Sequence, residues 1–408
     1  MKLLVIGFIW PEPNSSAAGI RMMQLLQAFQ SQDYNIVFAS SSSYSEHAED
    51  LKEYGIETRR IKLNDSSFND FVRQLNPDIV LFDRFMTEEQ FGWRVAEECP
   101  NAMRILDTED LHSLRKVRQE LHKSKEEFTI DKWLEADITK REIASIYRSD
   151  FTLVISEYEI QLLIDGIGID ESLLLYLPFM YNTLTKAEIG GLPEFENRQH
   201  FVTIGNFRHE PNYDSIVYLR KSIWPLIKEQ LPNARIYVYG SYPMQKIKHL
   251  HSDEDGFFIK GWAKDADQVM RSAKVCLTPL RFGAGLKGKM AVAMRNGTPV
   301  VTTRIGAEGL SNDFGGFIED IPDSFVKKAI ELYLNRSVWN EKQNLGFEMM
   351  NSRFEKSRFE KKLVEKVNFI SGQLVEWRLN NFIGTMLQFH TLQSNKYLSK
   401  WIESKQVK

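Results

Sequence analysis

The chain has 408 residues, of which 43% are hydrophobic and 26% charged, a balance typical of globular proteins with large cores. Lysine and arginine number 52 against 55 aspartates and glutamates, so the net charge of -3 gives no broad positive field for a nucleic-acid backbone. The only cysteines, Cys99 and Cys276, form no metal-binding or disulfide pattern. Nucleic acid is not expected as a partner, and a reducing, cytoplasmic location fits.

Short apolar runs rich in β-branched residues recur in the first half of the chain, with helical patterns between them. They lie at residues 2–8, 35–40, 78–83, 102–107 and 151–156. Runs that are apolar on both faces indicate a parallel sheet covered by helices. The first run contains a lysine and is followed at once by Pro11-Glu12-Pro13, so we expect a buried strand there and not a signal peptide. No apolar stretch approaches the ~20 residues needed to cross a bilayer.

A second series of such runs begins near residue 201. Its members lie at residues 201–207, 234–240, 256–261, 274–280 and 298–303. The stretch between the two series contains Gly190-Gly191 and Pro193, which is typical of a linker. The pattern predicts an α/β protein with a first domain over 1–185, a linker over 186–200, a second domain over 201–350 and a helical segment over 351–408.

Helical patterns occupy most of the remaining chain. Residues 19–30 and 213–231 have apolar positions at helical spacing and complete βαβ units. Residues 112–148 are strongly charged and indicate one broken helix or a helical hairpin. The tail from 354 to 404 is again helical in pattern and rich in aromatic residues. Such a tail packs on its own protein in most cases, but its mixture of basic and aromatic residues also suits a membrane surface.

The segment PLRFGAGLKGKMAVAMRNGTPVVTT, residues 279–303, is the most informative part of the sequence. It predicts a strand, a glycine-rich turn at Gly283-Ala284-Gly285, a helix from about Lys287 to Asn296, a stop at Gly297 and a buried strand. A turn of this kind exposes backbone N–H groups at the positive end of a helix, and Lys287 and Lys289 add charge. The combination suits a diphosphate, although a tight turn needed only for packing has the same local pattern.

This segment resembles the donor-binding region of family-4 retaining glycosyltransferases, which have the GT-B fold of two facing Rossmann-like domains. VTIGNFRHEPNYDSI at 202–216 is similar to the start of their C-terminal domain, and ILDTEDLHSLR at 105–115 and VISEYE at 154–159 to parts of their N-terminal, acceptor-side domain. The resemblance covers about residues 1–370. It implies transfer of a sugar from a nucleotide-sugar to a glycan, lipid-linked or other envelope acceptor, in the cytoplasm or at the inner face of the membrane.

The resemblance also implies site residues. Those near the donor would be Gly205, Asn206, Arg208, Gly283, Gly285, Leu286, Lys287, Val292 and Glu308. Those of the loop that closes over the reaction centre would be Ser15, Ser16 and Gly19. An Asn/Ser run before a helix is equally typical of a helix N-cap.

Two features of the sequence depart from the family pattern. The usual pair of glutamates, eight positions apart, would fall on Ala284 and Val292, and an aliphatic side chain cannot accept hydrogen bonds from ribose hydroxyls. A basic residue expected shortly after the first glycine of the C-terminal domain would fall on Pro211. A catalytically degenerate nucleotide-sugar-binding or interaction protein therefore remains an alternative, as does a nucleotide-sugar epimerase.

His112 is the candidate catalytic residue. It follows the fourth strand of the first series within DTEDLH, and the resemblance puts a histidine near this position beside the transferred sugar, where it would hydrogen-bond in the transition state. The alternative is a histidine that satisfies a helix N-terminus. Asp107 and Asp110 are expected to be cap and turn residues, and neither a metal ion nor another cofactor is expected. The fingerprints of dinucleotide oxidoreductases, α/β-hydrolases and P-loop enzymes do not occur.

Overall fold

The computed structural model describes residues 1–310 and 313–406. It contains two parallel β-sheets with helices on both faces. The strands of the first sheet are β1 (Lys2–Gly7), β2 (Asn35–Ser40), β3 (Glu57–Arg60), β4 (Ile79–Asp83), β5 (Met103–Asp107), β6 (Phe151–Val154) and β7 (Leu174–Tyr176). Those of the second are β8 (Gln199–Ile204), β9 (Ile236–Tyr239), β10 (Phe257–Gly261), β11 (Ala273–Thr278), β12 (Val300–Thr302) and β13 (Gly316–Ile318).

Both sheets reverse their strand order at the centre. The first has the order β3-β2-β1-β4-β5-β6-β7 and the second the order β10-β9-β8-β11-β12-β13, with every strand pair parallel. A reversal of this kind opens a crevice beyond the carboxyl ends of the central strands, where ligands of doubly wound sheets bind. The two parallel sheets and their helices confirm the predicted α/β architecture of two Rossmann-like units.

The helices connect the strands and cover the sheets. The helices that precede β8 in the chain are α1 (Ala17–Gln30), α2 (Ser67–Leu75), α3 (Phe85–Glu98), α4 (His112–Ser124), α5 (Ile130–Glu135), α6 (Asp137–Arg148), α7 (Glu157–Ile167) and α8 (Lys186–Gly190). The next are α9 (Glu210–Tyr218), α10 (Trp224–Gln230), α11 (Gln245–Lys248), α12 (Ala266–Ser272), α13 (Gly288–Arg295), α14 (Arg304–Ala307), α15 (Pro322–Leu334) and α16 (Arg336–Arg353). A π-helical turn over Leu219–Ile223 joins α9 to α10, and short 3-10 helices lie at Leu51–Tyr54, Glu171–Leu173 and Phe195–Asn197.

The last three helices return to the first sheet. They are α17 (Lys356–Ser371), α18 (Leu374–Asn380) and α19 (Phe382–Gln406). Phe359, Leu363, Val367 and Ile370 of α17 are buried in the same cluster as the side chains of β1 and α1. Each such burial contributes about 1.5–3 kcal/mol, so α17 is a firm part of the N-terminal half. The prediction that the C-terminal helices pack back is confirmed.

The strand predictions hold within a few residues, and three strands were missed. β3 is polar and mostly exposed, while β7 and β13 have three residues each, too few for a hydrophobic pattern. Residues 112–148 form three helices and not one broken helix or a hairpin, because the chain turns at Lys125, which has a φ of +60°, and again at Ala136. No helix in the described part of the chain is both long and apolar enough to cross a membrane.

Candidate active site

The predicted site residues lie where the two sheets present the carboxyl ends of their strands to each other. Four loops meet there: 8–16 after β1, 108–111 after β5, 205–209 after β8 and 279–287 after β11. The two halves touch at Gly288, since a Cβ built on it would lie 2.7 Å from the Cβ of Ala17. This cleft is the candidate active site.

The glycine-rich turn after β11 packs against the loops of the first sheet. Gly285 has a φ of +65°, and a Cβ built on it would lie 2.8 Å from the Cβ of Asp110. Both its backbone conformation and the lack of space therefore require glycine. Its N–H donates to Oε1 of Glu159 at 2.7 Å, and the carbonyl of Gly283 accepts from Arg118 at 2.9 Å. The N-terminal half thus fixes the position of the turn.

Two lysines and a helix N-terminus make this turn electropositive. Lys287 is the N-cap residue of α13, and its Nζ donates to the carbonyl of Gly285 at 2.7 Å. Lys289 Nζ donates to Oδ1 of Asn212 at 2.6 Å. Burial lowers the pKa of Lys287, with the charge of Glu308 acting in the opposite direction, and burial lowers the pKa of Lys289 to about 8. The arrangement is suited to a phosphate group.

The turn after β8 supports the same site. The Oδ1 of Asn206 accepts from the backbone N–H of Arg208 at 2.9 Å, and the side chain of Asn212 donates to the carbonyl of Asn206 at 3.0 Å. Gly205 leaves room for these contacts, since a Cβ built on it would lie 2.7 Å from Nδ2 of Asn212. The Arg208 guanidinium lies 3.9 Å from the centre of the Tyr242 ring at the edge of the cleft. Asn206 therefore shapes the turn, while Arg208 remains exposed.

His112 begins α4 and is mostly buried in the cleft. Its Nε2 lies 3.2 Å from Oδ1 of Asp110, and its backbone N–H donates to Glu142 at 2.9 Å. Burial lowers the pKa of His112 to about 3 against the opposing charge of Asp110, so the imidazole is neutral at neutral pH. Burial favours a raised pKa for Asp110, but the charge of Arg115, 2.7 Å away, outweighs it and lowers the pKa. A charged carboxylate thus orients a neutral imidazole.

His209 and Glu159 also contribute to this region, although sequence analysis did not identify them. His209, from the turn after β8, has a pKa lowered by loss of surrounding water and then by the charge of Arg115. Glu159 is buried and holds the backbone N–H groups of Leu111 and Gly285 with one oxygen, at 3.2 and 2.7 Å. Burial raises the pKa of Glu159 to about 8, with the charge of Asp110 acting in the same direction.

The loop at 14–19 reaches across to the second sheet. Ser15 Oγ donates to Oγ of Ser241 at 2.7 Å, and Trp262 Nε1 donates to the carbonyl of Asn14 at 2.9 Å. Trp262 also stacks on His47, with ring centres 5.0 Å apart. The loop therefore bridges both halves of the cleft, as a closing loop would.

Ser16 and Gly19 have local roles in the same loop. Ser16 is the N-cap residue of α1, and its Oγ accepts from the N–H of Gly19 at 3.0 Å. A Cβ built on Gly19 would lie 2.3–2.6 Å from backbone atoms of Glu12, so the loop can pass over the helix only at glycine. The N-cap interpretation of this segment is confirmed for Ser16.

Glu308 forms a bidentate ion pair between the two halves. Both its carboxylate oxygens accept from Arg118, at 2.6 and 2.7 Å, and Arg118 also donates to Tyr158 at 3.1 Å. A bidentate pair of this kind fixes geometry as well as distance. Beside it lies a cavity of about 430 Å³, whose lining includes Glu157, Arg304 and Arg353.

The two positions where the resemblance implies glutamates, Ala284 and Val292, have apolar surroundings. Ala284 packs against the core of the first sheet, and Val292 is partly buried on α13 against the core of the second. Leu286, between them, is buried in that second core. The side chains of Ala284 and Val292 cannot hydrogen-bond a sugar, and the turn is contacted instead by the carboxyl of Glu159 from the opposite half.

Asp107 and Asp110 form ion pairs. Asp110 lies in the turn after β5, as predicted, whereas neither residue is the N-cap of α4, which is Leu111. Asp107 Oδ1 accepts from Arg21 at 2.9 Å, whereas Asp110 binds Arg115 and His112. Within residues 1–310 and 313–406, no group of three or more His, Cys, Asp or Glu side chains is arranged to hold a metal ion.

Comparisons with known proteins agree with this geometry. Residues 198–335 match the family of group 1 glycosyl transferases. An uncharacterised 44.6 kDa protein from the cps region of Klebsiella pneumoniae is 23% identical over 164 residues, which are 38% of this chain and 42% of that protein. The chain thus matches less than half the length of this relative.

Solved structures share the fold over nearly the whole chain. A mutant of TarM from S. aureus, in complex with fondaparinux, alpha-GlcNAc-glycerol and UDP, matches with a TM-score of 0.68 and 11% identity, over 90% of this chain and 100% of that one. HepE from Anabaena, in complex with UDP and glucose, matches with a TM-score of 0.65 and 12% identity, over 90% and 99%. Both sheets and the returning helices therefore have the architecture of GT-B glycosyltransferases.

Proposed function

We propose that this chain, whose residues 198–335 match the group 1 glycosyltransferases and whose fold is GT-B, transfers a sugar from a nucleotide-sugar to a hydroxyl group of an acceptor. One observation carries the proposal. The electropositive glycine turn of the C-terminal half packs on Asp110, whose carboxylate orients the neutral His112 of the N-terminal half. A donor in this cleft would contact both.

The donor's diphosphate would bind at the glycine turn. Backbone N–H groups of residues 283–288, Lys287 and Lys289 supply positive potential, and Arg208 offers a planar fork for phosphate oxygens. The N–H of Gly285 now donates to a carboxyl oxygen of Glu159, an atom of the same kind as a phosphate oxygen. Binding of the donor would exchange one oxygen acceptor for another.

The reaction joins the acceptor oxygen to the anomeric carbon and breaks the bond from that carbon to the diphosphate oxygen. The acceptor's proton ends on the departing nucleoside diphosphate, so atoms and charge balance. Lys287 and Lys289 would stabilise the negative charge that develops on the leaving group, and His112 would hydrogen-bond the sugar as positive charge builds on the anomeric carbon. Retention of the anomeric configuration follows the family resemblance and requires the acceptor and leaving group on one face. No metal ion enters this scheme.

The test is release of nucleoside diphosphate from a panel of UDP-, GDP- and dTDP-sugars by the wild type and Lys287→Ala. Loss of one charged phosphate contact should lower release at least ~100-fold. Lys140→Ala, which removes an exposed lysine of α6 paired to Asp137, is the matched control and should retain full activity. Wild-type protein that releases nucleotide from no donor, and is not stabilised by any nucleotide, would contradict the proposal.

Two other functions predict different outcomes in the same assay. A degenerate binding protein, favoured by Ala284 and Val292, would be stabilised by a nucleotide without releasing sugar. An epimerase would need a buried acid/base pair, which Asp83 and Glu109 resemble, since both are more than 90% buried and both line one cavity. It would return a nucleotide-sugar with an altered sugar, so the products should be identified by chromatography against standards.

The acceptor is proposed to be a glycan or lipid-linked molecule at the inner face of the membrane, reached by contact of α19 with lipid. The polar and apolar faces of α19 are the reverse of those of an ordinary surface helix, which has its apolar face inward. Its inward face makes polar contacts, with Gln388 donating to the carbonyl of Arg148 at 2.9 Å and Glu403 accepting from the N–H of Ser66 at 2.7 Å. Its outward face is apolar, with Phe382 72% and Phe389 68% exposed.

The charge near this apolar face favours an anionic lipid surface as its occupant. The exposed face continues to Tyr397 and Trp401, and Lys400 and Lys405 lie exposed beside them. Aromatic residues with flanking lysines are typical of helices in the lipid headgroup region. The test is co-sedimentation with phosphatidylglycerol vesicles of the wild type and of F389S/W401S, which should lose binding.

Ile321→Ser, which removes one exposed apolar side chain from the opposite half, is the control for this experiment and should bind like the wild type. Equal binding by the double variant, or a wild-type dimer that the double variant abolishes, would contradict contact with lipid.

A further inference from the structure

A small acid-lined cavity lies in the N-terminal half, beneath the loop that bridges the cleft. It has a volume of about 10 Å³, and its lining includes Glu12, Ala18, Asp83, Arg84 and Glu109. Room of this size fits one hydroxyl-sized group. Glu12 and Glu109 belong to loops that border the cleft and Ala18 to the first turn of α1, but none of these five residues was predicted to bind the donor.

Two carboxyl groups in this cavity have atoms without a partner. Asp83 is 3% exposed, and its Oδ2 accepts from the N–H of Phe8 at 2.9 Å while its Oδ1 has no hydrogen bond. Glu109 is 8% exposed, and its Oε1 has no hydrogen bond. Buried carboxyl oxygens are almost always hydrogen-bonded, so these atoms indicate a partner supplied from outside the chain.

Arg84 completes a set of donors and acceptors. Its Nε lies 3.6 Å from Oδ1 of Asp83 and is itself without a hydrogen bond. Burial raises the pKa of Glu109 well above its usual value, with the charge of Asp107 adding to the effect, and burial raises the pKa of Asp83 against the opposing charge of Arg84. A carboxyl that keeps its proton can donate while its neighbour accepts, which suits the two-way hydrogen bonding of a hydroxyl group.

The cavity is connected to the donor site through Glu109. A Cβ built on Gly285 would lie 3.4 Å from the backbone carbonyl of Glu109. The backbone of Glu109 therefore lies against the glycine turn after β11, here called the donor turn, while Glu109 also lines the cavity. The charge of Arg84 also acts on both His112 and His209. Arg84 and Glu109 have φ values of +72° and +59°. Residues other than glycine seldom adopt positive φ, and those that do are concentrated at functional sites.

We propose that Asp83, Arg84 and Glu109 form the subsite for the acceptor's attacking hydroxyl group. The inference rests on the proposed glycosyl transfer and adds the residues that hold the second substrate. The hydroxyl donates to a carboxylate oxygen and receives a hydrogen bond from Arg84 or a protonated carboxyl, which orients its oxygen toward the donor turn. The side chains here are positioning residues, and the bonds made and broken are those of the transfer itself.

The test uses water and methyl glycosides of glucose, galactose and N-acetylglucosamine as acceptors, with the donor that the wild type turns over. Asp83→Asn and Glu109→Gln keep the shape of each side chain and change its hydrogen bonding. Both should lower kcat for nucleotide release at least tenfold, while the Kd for the nucleoside diphosphate, measured by calorimetry, stays within twofold. A purely structural role would not separate these two quantities.

Two further variants keep the test independent of folding. Ala18→Val adds two methyl groups beside the cavity without changing charge, and it should lower nucleotide release in the same way. Glu88 lies on the adjacent helix α3, and Glu88→Gln removes its buried carboxylate, which is paired to Arg148 of α6. This variant should lose stability but keep the wild-type kcat. Thermal melting of every variant identifies those that have merely unfolded.

The outcomes separate this inference from the function on which it rests. Wild-type kcat in Asp83→Asn, Glu109→Gln and Ala18→Val, with release still lost in Lys287→Ala, would overturn the acceptor subsite alone. A nucleotide-sugar product with an inverted centre, lost in Asp83→Asn, would overturn it in favour of epimerisation. No release from any donor and no nucleotide binding by the wild type would overturn both.

Discussion

The two surfaces of the cleft differ in how their functional groups are distributed along the sequence. One is the donor turn at 283–289, and the other is the part of the N-terminal half that packs against it. The turn has its glycines, its helix N-terminus and both lysines within seven consecutive residues. The opposing surface is assembled from Arg118, Glu159 and His112, which belong to helices α4 and α7. A phosphate site can be local because backbone N–H groups supply most of it, whereas side chains that orient a sugar must come from several strand ends.

The largest effect that distinguishes the two surfaces is expected at His112. His112→Ala removes a hydrogen bond expected only in the transition state, so kcat should fall about 10²–10³-fold while the Kd for nucleotide stays unchanged. The control is His249→Ala, at an exposed histidine of the C-terminal half bonded to Gln245. Steady-state release and calorimetry measure the two quantities. A loss of nucleotide affinity with unchanged kcat would assign His112 to the donor turn instead.

Gly285→Ala tests whether the two surfaces must touch. The substitution adds left-handed strain of about 1–2 kcal/mol and a Cβ 2.8 Å from that of Asp110. Nucleotide release should fall by roughly 30–100-fold, because a shift of the turn by about 1 Å misplaces the donor. Gly168→Ala is the matched control: its φ is +79°, but nothing lies within 4 Å of the added Cβ. Equal activity of the two variants would mean that the contact with Asp110 is unimportant.

Arg118→Met removes one of the ion pairs that join the two halves, the pair with Glu308. Glu308 and the carbonyl of Gly283 both lose a donor, so the cleft should open and release should fall roughly tenfold. Small-angle X-ray scattering should show a larger radius of gyration than for the wild type. Arg141→Met, which breaks an exposed pair with Glu89 inside the N-terminal half, should change neither quantity.

The smallest effect is expected from the titration of Lys289. Burial lowers its pKa to about 8, and only the protonated form attracts phosphate, so nucleotide affinity should weaken as pH rises from 7 to 9. The Kd for nucleotide should rise a few-fold over this range. A single titrating group can change it by about tenfold per pH unit at most. Lys289→Arg should keep its affinity across this range because guanidinium stays protonated. His112, with a pKa of about 3, should add no inflection between pH 5 and 7.

Sequence alone predicted the parts of the molecule whose interactions are local. The strands that are buried on both faces were found because each gives a continuous apolar run, and the donor turn because glycines precede a helix. β3, with the sequence ETRR, gives no such signal because it lies at the sheet edge with its side chains toward solvent. The reversed polarity of α19 was also out of reach, since it depends on which face meets α3 and α6.

The N-terminal part of the site was missed for a related reason. Glu159 meets Gly285 across 126 positions of sequence, and Arg118 meets Glu308 across 190. In the sequence, Glu159 and Arg118 are ordinary charged residues of amphipathic helices, which more often face solvent. His112 and the loop residues Ser15, Ser16 and Gly19 were identified in this half, because the family resemblance and not their local pattern pointed to them. The acid cavity gave no signal, since Asp83 is the last residue of β4 and Glu109 lies in the loop after β5, 26 positions further along the chain.

The most direct test of the central claim is a crystal structure with a bound nucleoside diphosphate. We predict phosphate oxygens within hydrogen-bonding distance of Lys287 Nζ and of backbone N–H groups at 283–288, with Glu159 displaced from the N–H of Gly285. A nucleotide whose phosphates lie away from this turn, against Arg304 and Arg353 in the cavity of about 430 Å³, would contradict this account.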